Sequence, residues 1–61
     1  MRDAKRIPVI CDKLAKVWSK VPDWRLAQLL VNCINQDPFY MEDEAFVKML
    51  DENLDKMIKG D

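Results

Sequence analysis

Three proline residues constrain the fold of this chain most, because they divide its 61 residues into short segments. Proline lacks a backbone N–H and clashes with the preceding turn, so it is disfavoured inside a helix or a central strand. The prolines are Pro8, Pro22 and Pro38. Each segment between or after them is long enough for a helix of about three turns. The chain is therefore expected to fold as a few short elements joined by proline-containing turns.

Apolar residues recur at steps of three and four within these segments, which is the spacing of amphipathic helices. With one glycine and 49% hydrophobic residues, little of the chain is left for loops. We predict an all-α fold, a small three-helix domain spanning residues 1–61, with helices near 4–20, 24–35 and 43–59. The predicted buried faces are Ile7, Ile10, Cys11, Leu14, Val17, Trp18 and Val21, then Leu26, Leu29, Leu30, Cys33 and Ile34, then Phe46, Val47, Leu50, Leu54, Met57 and Ile58.

The boundaries of the first two helices depend on proline and on capping residues. If Asp3 caps the first helix, Pro8 lies in its second turn; alternatively the regular helix starts at Pro8 after a loose lead-in. A frayed start is expected in both cases. Asp23, directly after Pro22, is a good N-cap for the second helix.

The charges are unevenly placed along a chain that is close to neutral, with 10 Lys and Arg against 11 Asp and Glu. Residues 1–25 carry seven basic and three acidic side chains, and residues 26–61 carry three basic and eight acidic ones. A basic first helix could contact phosphate or an acidic partner. We favour the simpler interpretation, in which the first and third helices are complementary neighbours with solvated charges.

The sequence indicates neither a membrane partner nor secretion. The longest apolar runs, Val9–Cys11 and Leu29–Val31, are far shorter than the roughly 20 residues of a membrane span. The charged N-terminus is followed by no hydrophobic signal core. We expect a complete cytoplasmic protein.

The inventory of catalytic side chains is thin. The sequence has no histidine, one serine (Ser19) and no threonine, so the usual general base and hydroxyl nucleophiles have no partners. We expect no enzyme, no cofactor and no metal. Cys11 and Cys33 lie equally far from Pro22, at the same height in an antiparallel hairpin. A disulfide or a zinc site shared by two chains is conceivable, but buried free thiols are the preferred interpretation.

The second helix carries more apolar surface than one buried face needs, which is typical of a central helix or of one covered by a partner. Trp24, Ala27 and Val31 form a second apolar line at helical spacing. We predict that this line is a partner-contact surface, and that the chain is a non-enzymatic protein-interaction module that forms a homodimer. In the alternative, residues 36–42, with Phe39, Tyr40 and Met41, fold back over this line.

A polar stripe on the same helix supports a second hypothesis. Arg25, Gln28, Asn32 and Asn35 are residue types that read base edges, and helix-turn-helix proteins present them on a second helix. Lys13, Lys16 and Lys20 would then face phosphate. The isoelectric point near 5.3 argues against binding to a polyanion. We therefore prefer to interpret the stripe as a solvated polar edge, and we keep a small nucleic-acid-binding regulator as the alternative function.

Residues 18–30, Trp-Ser-Lys-Val-Pro-Asp-Trp-Arg-Leu-Ala-Gln-Leu-Leu, resemble the YihD-like family of small bacterial proteins of unknown function. That family carries a similar Trp-x-Lys-x-Pro-Asp-x-x-Leu-x-Gln stretch between helices. Scattered positions, including Arg6-Ile7, Asn32 and Phe39-Tyr40-x-Glu42-Asp43, are similar to short bacterial or phage-encoded hypothetical proteins. The resemblance implies a bacterial or phage origin and an all-helical fold, and it implies no mechanism.

Overall fold

The computed structural model describes residues 3–59 and contains three helices in this range, with no strand. They are α1 (Arg6–Trp18), α2 (Leu26–Cys33) and α3 (Asp43–Ile58). The predicted all-α, three-helix class is therefore confirmed. The third helix lies within one residue of its predicted range, whereas α1 and α2 are shorter than predicted at both ends.

The helix on which the others pack is α3. Both α1 and α2 make extensive contact with it, and they make much less contact with each other. The sequence suggested α2 as the central helix or as one covered by a partner, because it is apolar on most of its circumference. The structure gives the central position to α3, which is twice as long as α2 and contacts both of the other helices.

The direction of α1 relative to α3 follows from three hydrogen-bonded ion pairs. Lys13 Nζ lies 3.0 Å from Glu44 Oε1, and Lys20 Nζ lies 2.6 Å from Asp51 Oδ1. Lys20 lies two residues past the end of α1, and Arg6, the first residue of α1, pairs with Asp43, the first residue of α3. Because side chains further along the first segment pair with residues further along α3, the two helices run in the same direction.

The start of α1 lies at the N-terminal end of α3. Arg6, the first residue of α1, pairs with Asp43, the first residue of α3. Ile7 and Val9 are exposed there, although Ile7 was predicted to be buried.

The position of α2 is marked by one hydrogen bond to α3. Asn53 Nδ2 donates to the carbonyl oxygen of Cys33, the last residue of α2, at 2.6 Å. Asn53 lies about 15 Å along α3 from its first residue. The connector over residues 34–42 therefore runs back along α3, and Gln36 Nε2 approaches Met49 Sδ at 3.9 Å on the way. Thus α2 packs on the C-terminal half of α3.

The core is centred on α2 and α3. Four side chains there have no accessible surface, and three more are buried beside them. The fully buried residues are Leu29, Cys33, Leu50 and Leu54, and the others are Val17, Val47 and Met49. Met49 was not predicted, because it is covered by the connector and not by a helix. Trp18 is half-buried at the edge of this core.

Several residues predicted to be buried are exposed because no neighbouring helix extends far enough to cover them. Met57 and Ile58 form the last turn of α3 and are 46% and 53% exposed. Leu26, the first residue of α2, is also on the surface. The helical period identifies a face, but burial along that face ends where the partner helix ends.

The starts of α1 and α2 differ from the predicted ones. Since α1 begins at Arg6, Pro8 is its third residue, where a helix has no internal acceptor for the N–H that proline lacks. Asp23 does not cap α2. The N–H of Trp24 instead bonds the carbonyl of Val21, which closes a turn, and the helix starts two residues later.

The first testable consequence concerns the central position of Leu50. Leu50→Ala removes a fully buried side chain from the face that both α1 and α2 cover, and we expect it to lower the free energy of unfolding by about 2–5 kcal/mol. Met57→Ala on the same helix is the matched control and should change it by less than about 1 kcal/mol. Urea unfolding followed by far-UV circular dichroism measures both. Equal losses in the two variants would contradict the packing described here.

Candidate functional site

The outer face of α2 carries an exposed apolar pair. Val31 is 76% exposed, and Ala27, one turn earlier, is also exposed. Together with Gln28 and Asn32 they line a shallow depression of about 320 Å³. Leu29 and Cys33, on the opposite side of the helix, are fully buried. We call the group Ala27, Gln28, Val31 and Asn32 the α2 outer face.

Trp24 does not join this face as a helical residue. It precedes α2 and is half-buried against the core. Its carbonyl oxygen accepts a hydrogen bond from the indole Nε1 of Trp18 at 2.7 Å. The turn closed by Val21 holds Trp24 against the core, so the predicted line of three residues is reduced to two on α2, Ala27 and Val31.

The connector does not cover the α2 outer face. Phe39 and Tyr40 are 78% and 89% exposed, and their rings meet edge to face, with centroids 4.8 Å apart and an interplanar angle of 81°. Met41 alone of the three apolar connector residues packs against the core. Because Val31 also remains exposed, the structure does not adopt the alternative in which residues 36–42 fold back over it.

The predicted polar stripe is only partly formed. Gln28 and Asn32 lie on α2, but Arg25 is the N-cap position and Asn35 lies beyond the last helical residue. Gln28 Oε1 accepts the backbone N–H of Arg25 at 2.8 Å, so its amide closes the start of the helix. The four side chains therefore do not form one continuous row on a helix, as a recognition helix would require.

Two basic side chains of α1, and Lys20 just after its end, are paired with acidic side chains of α3. In addition to the Lys13 pair, Arg6 Nε lies 2.8 Å from Asp43 Oδ2, and Lys20 Nζ lies within 2.9 Å of both Asp51 and Asp55. The interpretation of α1 and α3 as complementary neighbours is confirmed. All of these groups keep substantial solvent exposure, so each pair adds little to the free energy of unfolding. The pairs instead help to set the position of α1 along α3.

Lys20 differs from the other cations described here because it pairs with two carboxylates. Its side-chain hydrogen bonds to Asp51, and then to Asp55, raise the pKa of its ammonium group above the ordinary value of 10.5. Because the pKa is raised in the folded state, the contact contributes its full stabilisation at every pH below the ordinary pKa. That stabilisation is lost only as the pH rises through the raised pKa. Lys20 is therefore charged and double-paired throughout the neutral range.

The two cysteines are in different environments, and both are free thiols. Cys33 is fully buried, and burial raises the pKa of its thiol. Cys11 is exposed, so its predicted burial is wrong. It lies six residues before Val17, the buried residue of α1, which places it about 120° around the helix from the side that faces α3.

Residues 3–59 contain no other feature that assigns a chemistry. No group of three or more His, Cys, Asp or Glu side chains in this range could hold a metal ion. None of its helices has the length and apolar character needed to cross a bilayer. Comparison of the chain with protein-family models, curated proteins and solved structures found no match. The resemblance to YihD-like proteins stays a prediction.

The difference between the two thiols is directly testable. We expect N-ethylmaleimide to modify Cys11 rapidly in the native protein and Cys33 only after unfolding, because Cys33 has no accessible surface and a raised pKa. Mass spectrometry then shows a single adduct under native conditions and a second one in denaturant. Cys11→Ser is the control and should show no rapid adduct. Rapid native modification of both thiols would refute the burial of Cys33.

Proposed function

We propose that the chain is a non-enzymatic protein-interaction module whose α2 outer face binds a protein partner. The observation that carries the proposal is the 76% exposure of Val31, on a helix whose opposite side is fully buried. Helices that dock in grooves present apolar anchors at such one-turn spacing, and Ala27 and Val31 have it. The amides of Gln28 and Asn32 border the two residues, as polar side chains border the apolar centre of many interfaces.

The partner that this face suits best is a second copy of the chain. If two α2 helices cross about a two-fold axis, Val31 of each copy can pack on Ala27 of the other, because the small alanine allows close approach. An eight-residue helix supplies less than the roughly 800 Å² per partner of a standard interface. We therefore expect a weak homodimer that dissociates on dilution.

A cytoplasmic location is part of the same proposal. Cys11 and Cys33 are free, and Cys11 is exposed, which suits a compartment that keeps thiols reduced. The absence of histidine and threonine from the sequence supports binding over catalysis. The resemblance described above supports a bacterial or phage origin.

A nucleic-acid-binding regulator remains the alternative. It would use Arg25, Gln28 and Asn32, with Lys13, Lys16 and Lys20 toward phosphate. We rank it second because Lys13 and Lys20 are paired with carboxylates of α3 and because the isoelectric point is near 5.3. A gel-shift assay with mixed DNA and RNA should show no salt-sensitive binding. Binding that is lost in Arg25→Ala would reverse the ranking.

Sedimentation equilibrium tests the α2 outer face. We expect the parent to associate with increasing concentration and Val31→Glu to remain monomeric, because it places two like charges at the proposed interface. Val9→Glu is the matched control: it puts the same charge on an exposed valine of α1 and should associate as the parent does. A parent protein that stays monomeric into the millimolar range would contradict the homodimer proposal. Loss of association in both variants would show that the interface is not specific to the α2 outer face.

A further inference from the structure

A groove of about 400 Å³ runs between α1 and α3. Its floor is formed by two nearly buried valines, and four lysines contribute to its walls, two from α1, one from the turn that follows α1 and one from α3. They are Val17 and Val47, and Lys13, Lys16, Lys20 and Lys48. Lysine stems are apolar along their length and carry the charge at the tip, so the groove is lined with methylene groups and edged with ammonium groups.

The lysines at the two ends of the groove differ from those in the middle. Lys13 is paired with Glu44 at one end and Lys20 with Asp51 at the other, each across the groove. In the sequence, Lys16 lies between Lys13 and Lys20, and Lys48 lies between Glu44 and Asp51. Lys16 and Lys48 both line the groove, one on each wall, between the pairs at its two ends.

Neither middle lysine has a partner across the groove. Lys48 makes no ion pair with any residue in the range 3–59. Lys16 pairs within its own helix with Asp12 at 3.2 Å, and both of these side chains are strongly exposed. An exposed pair of this kind contributes little to the free energy of unfolding, and Lys16 can readily leave Asp12 for another carboxylate. The groove thus carries one such lysine on each wall, whereas the two carboxylates that line it, Glu44 and Asp51, are paired with Lys13 and Lys20.

We propose that this groove is a docking site for an acidic segment of a partner protein. A carboxylate of the segment binds between Lys16 and Lys48, and a neighbouring apolar side chain packs on the lysine stems above the two valines. Charge complementarity supports this occupant, because an anionic group in the groove can pair with two ammonium groups that have no partner across it. The open shape of the groove suits a chain segment, which supplies further contacts on either side.

A protein segment fits the groove better than a nucleic acid does. A nucleic acid carries a negative charge at each successive phosphate, so a backbone laid along the groove would pass Glu44 and Asp51 as well as the lysines. A peptide can place its carboxylate in the middle and uncharged residues at the two ends. The protein as a whole also has a net charge of −1, which opposes binding to a polyanion.

This site does not depend on the α2 outer face. The groove lies on the part of α3 that α1 covers, whereas α2 packs on the C-terminal half. Val31→Glu should therefore leave binding in the groove unchanged, and charge reversal in the groove should leave self-association unchanged. The two proposals can fail separately.

Fluorescence polarisation with the full chain tests the groove. The probe is a labelled, helix-forming synthetic peptide of about four turns, built from Glu, Leu and Ala. The comparison ligands are the same peptide with every Glu replaced by Gln, and a duplex DNA of about two helical turns. We expect the Glu peptide to bind and its affinity to fall as salt is raised from about 50 to 200 mM, and we expect the other two ligands to bind much more weakly.

Charge-reversal variants locate the binding. Lys16→Glu and Lys48→Glu should each weaken binding of the Glu peptide by about tenfold or more. Lys56→Glu is the matched control, because Lys56 is on the same helix as Lys48 and lines a different depression, with Glu52 and Asp55. It should change the affinity by less than about twofold, as should Val31→Glu. Thermal melts verify that each variant is folded.

Four results would overturn the proposal. The first is no binding of the Glu peptide at millimolar concentration, and the second is equal binding of the Gln peptide. The third is an equal loss of affinity in Lys56→Glu or Val31→Glu, which would place binding outside the groove. The fourth is tighter binding of duplex DNA with the same sensitivity at Lys16 and Lys48, which would assign the groove to nucleic acid.

Discussion

The burial of one side of α3 by two other helices is the interaction on which the whole structure depends. Leu50 and Leu54 have no accessible surface, and they share the core with Leu29 and Cys33 of α2. Because α1 and α2 contact each other so little, neither could bury its apolar side without α3. An eight-residue helix such as α2 is also too short to be stable in isolation, so its existence follows from this packing.

Electrostatics fixes how α1 lies on that surface. Arg6 pairs with Asp43, Lys13 with Glu44, and Lys20, just past the end of α1, with Asp51. Exposed pairs of this kind add little free energy, but a shift of α1 by one turn would separate all of them at once. At the start of α1, Ile7 and Val9 remain exposed. The same arrangement places Lys16 and Lys48 on opposite walls of the groove.

The sequence correctly predicted the burial of side chains where helical periodicity alone decides it. It missed burial or exposure where the outcome depends on how far a neighbouring helix or connector extends. Val47, Leu50 and Leu54 were identified correctly, since α3 has a neighbour along most of its length. Met57 was not, because no helix reaches the last turn, and Met49 was missed because an irregular connector covers it. Cys11 was misplaced because it lies at the margin of the apolar face of α1, where the helical period alone does not decide burial.

The candidate surfaces divide in the same way. Ala27 and Val31 were found from one-turn spacing, which a single helix displays in its sequence. Trp24 was added to them because the second helix was predicted to begin at residue 24, directly after the turn, whereas it begins at Leu26. The groove between α1 and α3 requires knowing which lysine faces which residue across two helices. The basic residues of the first segment and the acidic residues of the third were the available signal, and they become interpretable only when the helices are known to be parallel.

Native-state hydrogen exchange measured by NMR tests the central position of α3 most directly. Amides that open only on global unfolding exchange slowest, and those in frayed or weakly covered segments exchange faster. The structure predicts the slowest exchange at Leu50 and Leu54, and faster exchange at the start of α1, where Ile7 and Val9 are exposed. Slower exchange anywhere in α1 than at Leu50 and Leu54 would contradict the account, because it would show that α1 remains folded when α3 has opened.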